Sequence, residues 1–216
     1  MKLILASEGF YTEEIVAKCE ELVGKPRHSI NIAIINEGYA VQSDNLRWVL
    51  VNLNDVVKNF GGKLELVNLL ALDKETVKER IEEADVLFVV GGDADYLMTL
   101  FNKTGFTQLL PELLQKKVYV GSSAGSMVMG KRLPTNISEK LYHLEAAYTV
   151  EKYMELVDFS FVAHLNSQSK DRQAKLIEAT KDKKNLTVYG LHDDSAIVID
   201  GGSMTVIGSK PLMIIK

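Results

Sequence analysis

The residues with the clearest chemical meaning lie in a short serine-rich turn. The apolar run 117–120 leads directly into Gly-Ser-Ser-Ala-Gly (121–125), and an apolar stretch with helical character follows. A Gly-x-Ser-x-Gly sequence between a strand and a helix is typical of a nucleophile elbow, in which a strained turn exposes the serine hydroxyl. The residues two before and two after the serine must be small, and Gly121 and Gly125 satisfy this requirement. We therefore predict that Ser123 is a nucleophile.

The same turn provides a place where negative charge can be stabilised. An elbow directs the backbone N–H of the residue after the nucleophile, here Ala124, toward the substrate oxygen, and the following helix N-terminus adds its dipole. An anion-binding turn or tight strand–helix packing would use the same glycines. We expect the neighbouring Ser122 and Ser126 to support the turn.

A serine nucleophile needs a base within hydrogen-bond reach, and histidine is the usual one because it titrates near neutral pH. Of the four histidines, His164 follows the apolar run 159–163 and precedes polar residues. It is therefore predicted at the carboxyl end of a strand, where sites form in open α/β sheets. His192 follows the run 186–191 in the same way and is the alternative base.

The elements that must position these residues follow an α/β pattern. Short apolar runs alternate with amphipathic stretches, which favours a mostly parallel sheet covered by helices on both faces. Strands are predicted at 3–6, 31–35, 64–69, 86–90, 117–120 and 186–191, and helices at 12–23, 43–60, 74–83, 96–101 and 168–180. The runs 196–199 and 204–207, joined by Gly201-Gly202, predict a C-terminal β-hairpin on one sheet edge. No linker or repeat interrupts the pattern, so residues 1–216 are predicted to form a single domain.

Composition narrows the function classes. The chain has 25 basic and 29 acidic residues and a net charge of −4, so a nucleic-acid surface is not expected. It has no secretory signal and no apolar run of the roughly 18 residues that a membrane span needs, so we expect a cytoplasmic protein with no membrane contact. The single cysteine, Cys19, excludes an internal disulfide and is expected to be a buried thiol. No histidine pair has metal-ligand spacing, so neither a metal nor another cofactor is expected.

Three segments together resemble one family. The strand end Val-Val-Gly-Gly-Asp-Ala-Asp-Tyr-Leu (89–97), the elbow and the sequence Phe-Val-Ala-His-Leu-Asn (161–166) are similar in order and spacing to the peptidase E and cyanophycinase family of serine peptidases. The resemblance implies a fold similar to class I glutamine amidotransferases, of flavodoxin-like type, with a serine where those enzymes carry cysteine. It implies Ser123 as nucleophile and His164 as general base. The oxyanion hole would combine Ala124 with the turn that contains Gly92 and Asp93.

The resemblance also implies two further site residues. The family has an acidic residue between the serine and the histidine in the chain, so Glu139 is the candidate third member of the triad, with Glu145 and Asp158 as alternatives. An arginine after the histidine pairs with an aspartyl side chain in peptidase E members, and Arg172 is the matching candidate for substrate binding.

The strand end at 91–95 departs from the family. Its members commonly carry Asn-Thr after the glycines, whereas this chain has Asp93-Ala94-Asp95. An added carboxylate beside the oxyanion hole would repel an acidic substrate.

The sequence therefore predicts a serine peptidase that hydrolyses dipeptides or short peptides, with aspartyl peptides as candidate substrates. Two alternatives stay open. One is a non-catalytic protein that uses the elbow as a ligand site, and the other is a different amidohydrolase or isopeptidase with His192 as base. A homodimer also stays open, because amphipathic patterns do not separate core from interface.

Overall fold

The computed structural model describes residues 1–42, 45–142, 148–166 and 171–215. In chain order its strands are β1 (Lys2–Ala6), β2 (Ile32–Ile35), β3 (Leu64–Leu66), β4 (Val86–Val89), β5 (Val118–Ser122), β6 (Ser160–Val162), β7 (Thr187–Gly190), β8 (Ala196–Asp200), β9 (Ser203–Ile207) and β10 (Leu212–Ile215). Its helices are α1 (Glu13–Val23), α2 (Arg47–Asn59), α3 (Lys74–Glu82), α4 (Ala94–Thr104), α5 (Phe106–Leu113), α6 (Ala124–Met127), α7 (Thr135–Tyr142) and α8 (Arg172–Thr180). None of these helices is long and apolar enough to span a membrane.

The main sheet has seven strands in the order β3-β2-β4-β5-β1-β8-β9. From β3 to β1 each strand runs parallel to its neighbour. β8 then pairs with β1 in the antiparallel sense, and β9 returns antiparallel to β8. The predicted mostly parallel sheet with a hairpin on one edge is therefore confirmed.

Each central strand contributes side chains to two separate cores, because successive residues of a strand point to opposite faces. In β1, Leu3 and Leu5 belong to the core under α3, α4 and α5. Ile4 and Ala6 belong to the core under α1 and α2. Both faces of the sheet are thus covered by helices, as the near-continuous apolar strands predict.

A second, three-stranded sheet has the order β10-β7-β6. Its apolar residues form their own cluster with α7 and α8. The sequence predicts the strands at 159–163 and 186–191, which are β6 and β7, but it does not predict that they form a separate sheet, nor does it predict β10 and α7. This small sheet carries the predicted base, which follows β6.

Candidate active site

The residues that surround Ser123 and His164 lie at the carboxyl ends of strands from both sheets. Ser7 follows β1, Ser123 follows β5, His164 follows β6 and Asp193 follows β7. The turn that begins at Gly91 follows β4. Ligand sites in open α/β folds form at this end of the strands, where the connecting loops converge.

Ser123 sits on a strained turn. Its backbone has φ 49° and ψ −111°, a positive-φ conformation that non-glycine residues adopt mainly where the surroundings impose it. Its N–H donates to the carbonyls of Ala6 and Ser7, at 3.1 and 3.0 Å. Two bonds to β1 and its continuation thus hold the turn that presents the Ser123 side chain.

The two elbow glycines are required by close backbone packing. A Cβ at Gly125 would lie 2.1 Å from the carbonyl oxygen of Val89, and one at Gly121 would lie 2.6 Å from the nitrogen of Ser126. Both distances are far inside van der Waals contact, which confirms the predicted need for small residues. The hydroxyl of Tyr119 fixes the turn further by donating to the Gly125 carbonyl at 2.5 Å.

The three serines of the elbow have different surroundings. Ser126 is buried and donates to the Ala6 carbonyl at 2.7 Å. Ser122 is also buried and donates to Oδ1 of Asn52 at 2.9 Å. Ser123 alone of the three is partly exposed. Substrate can reach Ser123, while its two neighbours support the turn as expected.

Two backbone N–H groups are placed to stabilise an oxyanion. Ala124 is the first residue of α6, so its N–H has no acceptor within the helix. The turn after β4 lies against the nucleophile, since a Cβ at Gly91 would be 3.7 Å from Ser123 Oγ. The Asp93 N–H, however, donates to the Gly38 carbonyl at 2.9 Å. This corrects the predicted set, because Asp93 has its donor engaged and Gly92 is left as the candidate from this turn.

The two extra carboxylates beside this turn are both engaged by the chain. Asp93 caps α4 by accepting from the Tyr96 N–H at 2.8 Å, and burial raises the pKa of its carboxyl. Asp95 accepts from Nε and Nη2 of Arg132 at 3.0 and 2.5 Å. The hydroxyl of Tyr153 also donates to Asp95 at 2.8 Å. The charge of Asp95 is therefore paired internally, which weakens the repulsion that the sequence predicts for an acidic substrate.

His164 is fixed at its backbone and at its ring. It is 7% exposed, and its N–H donates to Ser7 Oγ at 2.8 Å. Its Nδ1 lies 2.7 Å from Oδ1 of Asp193 and 3.3 Å from Oε2 of Glu8. Because the Ser7 carbonyl accepts from Ser123, one buried residue links the elbow to the histidine.

The acid beside His164 is not the one the sequence predicts. Glu139 is exposed on α7, and within the described residues no hydrogen bond or ion pair joins it to His164. Asp158 is 91% exposed and pairs with Lys131, while Glu145 lies outside the described residues. The carboxylate that is placed to accept a hydrogen bond from Nδ1–H, as a triad acid must, is that of Asp193. The predicted candidates all lie between Ser123 and His164 in the chain, whereas Asp193 follows both.

The strand end after 186–191 held a usable signal for this acid. Asp193 directly follows His192, the alternative base, and the strand-end argument that selected His192 applies equally to its neighbour. His192 is partly exposed, and its carbonyl accepts from the Ser195 N–H at 3.0 Å. Within the described residues no hydrogen bond joins Ser123 Oγ to the ring of His192 or of His164; His164 differs in that its backbone and Ser123 both bond to Ser7.

Arg172, the first residue of α8, is buried. It is 4% exposed, donates to the carbonyls of Ala163 and Leu141 at 3.3 and 3.1 Å, and stacks on the ring of Tyr142. Desolvation lowers the pKa of its guanidinium, while the charges of Tyr142 and Asp193 oppose that shift. Its placement beside Asp193 favours a supporting position behind the acid; its role in substrate binding stays a prediction.

In the described part of the chain, one group of side chains has the residue types and spacing of a metal site. It consists of Glu8, His164 and Asp193, whose possible ligand atoms lie within 4.8 Å of one another. Zinc takes such ligands. The 2.7 Å contact between Nδ1 and Asp193 is a hydrogen-bond distance, so a metal ion would have to displace the proton that this contact shares.

The fold and site define a class of protein. The sheet carries a serine on a strained strand–helix turn, and a histidine that contacts a carboxylate is bonded to the same residue, Ser7, as that turn. This arrangement is typical of a nucleophile-elbow hydrolase. The model of peptidase family S51 matches residues 3–207 of this chain. The chain therefore belongs to peptidase family S51 and is a serine-type peptidase.

Individual relatives agree with that family. An uncharacterised peptidase of Listeria monocytogenes is 27% identical over 143 residues, which cover 63% of this chain and 68% of the relative. A peptidase E of Shewanella oneidensis is 24% identical over 182 residues, covering 78% of this chain and 77% of its own.

Solved structures share the fold. A crystal structure of a candidate peptidase E from L. monocytogenes superposes with a TM-score of 0.76 at 21% identity and covers 98% of both chains. A peptidase from an acI-B1 actinobacterium gives a TM-score of 0.70 at 17% identity, covering 99% of this chain and 93% of its own.

Proposed function

We propose that this serine peptidase hydrolyses dipeptides or short peptides through an acyl-enzyme on Ser123, with His164 as general base and Asp193 as the acid that holds it. One observation carries the proposal. Ser7 accepts a hydrogen bond from the backbone of Ser123 and another from that of His164, so the nucleophile and the base are fixed to a single point. The carboxylate of Asp193 then orients the imidazole through Nδ1.

In the first half of the reaction, Ser123 Oγ attacks the scissile carbonyl carbon and His164 takes the hydroxyl proton. The bond of Nδ1 to Asp193 keeps the ring in the tautomer whose other nitrogen is free to accept that proton. The N–H groups of Gly92 and Ala124 stabilise the negative charge that develops on the carbonyl oxygen. When the intermediate collapses, His164 gives the proton to the leaving amine and the peptide bond breaks.

In the second half, water attacks the acyl-Ser123 ester. His164 now accepts a proton from the water, and returns it to Ser123 Oγ as the acid product leaves. The imidazolium formed in each half faces the carboxylate of Asp193, which stabilises its charge.

The electrostatics around the oxyanion turn bear on substrate choice. The charge of Asp95 is paired with Arg132, while Asp93 accepts a hydrogen bond as the cap of α4 and burial raises the pKa of its carboxyl, so the repulsion of an acidic side chain by this turn is weakened. Aspartyl dipeptides are therefore the first substrates to test.

A dipeptide library tests the proposal. Wild type is assayed for release of free amino acids from Asp-X, Ala-X and Lys-X dipeptides, beside Ser123→Ala and Ser126→Ala purified in the same way. We expect hydrolysis by wild type and Ser126→Ala, and a loss of about 10⁴-fold or more in Ser123→Ala. Equal hydrolysis by wild type and Ser123→Ala would contradict the proposal, and binding of dipeptides without turnover by any form would favour a ligand-binding protein.

A further inference from the structure

A second carboxylate, which the proposed reaction does not require, lies within ion-pair distance of the His164 ring. Glu8, the second residue after β1, places Oε2 3.3 Å from the same Nδ1 that Asp193 contacts at 2.7 Å. The side chain of Glu8 is 22% exposed. A catalytic triad needs a single acid, so Asp193 alone would suffice and Glu8 must have a different role.

The other oxygen of Glu8 belongs to a chain of buried polar groups. Oε1 accepts from Nδ2 of Asn52 at 3.2 Å, and Oδ1 of Asn52 accepts from Ser122 Oγ at 2.9 Å. Asn52 and Ser122 are each 2% exposed. A buried amide and hydroxyl are stable only when hydrogen-bonded, so each contact in this chain depends on the next.

The chain connects the two halves of the site. Ser122 directly precedes the nucleophile, Asn52 lies on α2, and Glu8 reaches the imidazole. The residue after Glu8 packs closely against the other two members, since a Cβ at Gly9 would lie 3.0 Å from Asn52 Oδ1 and 3.3 Å from the Ser122 Cβ. The conformation of Glu8 is therefore set by its surroundings.

We infer that Glu8 is a positioning residue for His164. Hydrogen bonds link Glu8 through Asn52 to Ser122, and the carboxylate of Glu8 makes an ion-pair contact with the ring. These three residues form a brace that fixes the imidazole relative to the elbow and stabilises the imidazolium beside Asp193. This inference rests on the proposed function, in which His164 is the base. The brace adds a second negative charge to the protonated ring and ties its position to the residue next to the nucleophile.

The charges that face Glu8 come from three segments. His164 and Asp193 follow the strands of the small sheet and Asp55 lies on α2, while the guanidinium of Arg172 interacts electrostatically with Asp193. Burial raises the pKa of Glu8, Asp193 and Asp55 act in the same direction, and His164 and the Asn52 hydrogen bond oppose it. The brace is therefore most effective above the pH at which Glu8 takes up a proton.

The pH profile of kcat/KM distinguishes this role from a purely structural one. Activity requires the neutral imidazole, so the acid limb of the profile follows the protonation of His164. A negative charge beside the ring favours its protonated form. In Glu8→Gln the acid limb should therefore move to lower pH, by about one pH unit for a charge at this distance.

A graded series tests the brace. Asn52→Leu should move the limb in the same direction by less, because Glu8 keeps its charge but loses the bond that favours its ionised form. Glu8→Asp should stay near the wild-type limb, and Glu139→Gln, at an exposed glutamate, should match wild type. An unchanged limb in Glu8→Gln, with kcat/KM close to that of wild type, would overturn the inference.

A second measurement needs no substrate. The histidine ring signals are titrated by NMR in Ser123→Ala and in Ser123→Ala/Glu8→Gln, with the His164 signals assigned by comparison with His164→Gln. The His164 signals of Ser123→Ala should show a step from Glu8 that is absent when Glu8 is replaced, whereas identical titration curves in the two proteins would contradict the inference. Because this readout is independent of turnover, it tests Glu8 even if the dipeptide assay overturns the proposed function.

Discussion

The elbow and the imidazole side of the site are built in different ways. The elbow is a contiguous segment, although distant residues of β1, β4 and α2 hold it in place. The imidazole side gathers Glu8, His164 and Asp193 from three distant parts of the chain and two sheets. Local sequence is therefore enough to recognise the first, while the second can be recognised only in the tertiary fold.

The largest expected effect comes from the imidazole side. Asp193→Asn keeps the shape of the side chain but removes the charge that holds the His164 tautomer, so kcat/KM should fall by about 10² to 10⁴-fold. Glu139→Gln is the matched control at the position that the sequence predicts, and it should leave kcat/KM unchanged. A loss in Glu139→Gln comparable to that in Asp193→Asn would restore Glu139 as the acid.

A smaller effect is expected where the oxyanion turn meets the elbow. In Gly91→Ala the new methyl group would lie 3.1 Å from the Ser123 Cβ, which displaces the turn or the nucleophile by a few tenths of an ångström. We expect kcat/KM to fall by about 10 to 10²-fold while the thermal unfolding midpoint stays close to that of wild type. Activity equal to wild type would show that this turn does not determine the position of the nucleophile.

We expect Ser126, which supports the elbow, to contribute to the free energy of unfolding and not to catalysis. Ser126→Ala removes the bond to the Ala6 carbonyl, but that carbonyl still accepts from the Ser123 N–H. Urea unfolding should show a loss of about 1 kcal/mol, with kcat/KM within a few-fold of wild type. A loss of activity as large as that of Ser123→Ala, in a protein that remains folded, would show that Ser126 reacts.

The smallest expected effect concerns the single thiol. Cys19 is fully buried, and desolvation raises the pKa of its thiol to about 12, so it is protonated at neutral pH. Iodoacetamide at pH 8 should leave the native protein unmodified and its activity unchanged, whereas denatured protein should take up one label. Inactivation of the native protein in step with labelling would contradict a serine mechanism.

The contrast between the two regions also explains which features could be predicted from sequence. The alternation of strands and helices and the Gly-x-Ser-x-Gly turn are local patterns, so the main sheet, its edge hairpin and the steric role of Gly121 and Gly125 were accessible. The small sheet was missed because its strands were predicted without their pairing, and β10 pairs with a strand more than twenty residues earlier.

The acid partner could not be derived from chain order. Asp193 reaches His164 only because β6 and β7 are parallel neighbours, which places the residues that follow them side by side. Likewise, nothing local indicates that Asp95 pairs with Arg132, or that Arg172 is buried among backbone carbonyls. Charge pairs and hydrogen bonds between distant segments depend on the tertiary fold, so a single sequence does not reveal the partners of these three residues.

Covalent labelling tests the central claim, that Ser123 is the nucleophile, most directly. Wild type, Ser123→Ala and His164→Ala are incubated with a fluorophosphonate, and the adduct is located by mass spectrometry of proteolytic peptides. The account predicts a single adduct on Ser123 in wild type, much slower labelling in His164→Ala and none in Ser123→Ala. An adduct on another residue, or equal labelling of wild type and Ser123→Ala, would contradict it.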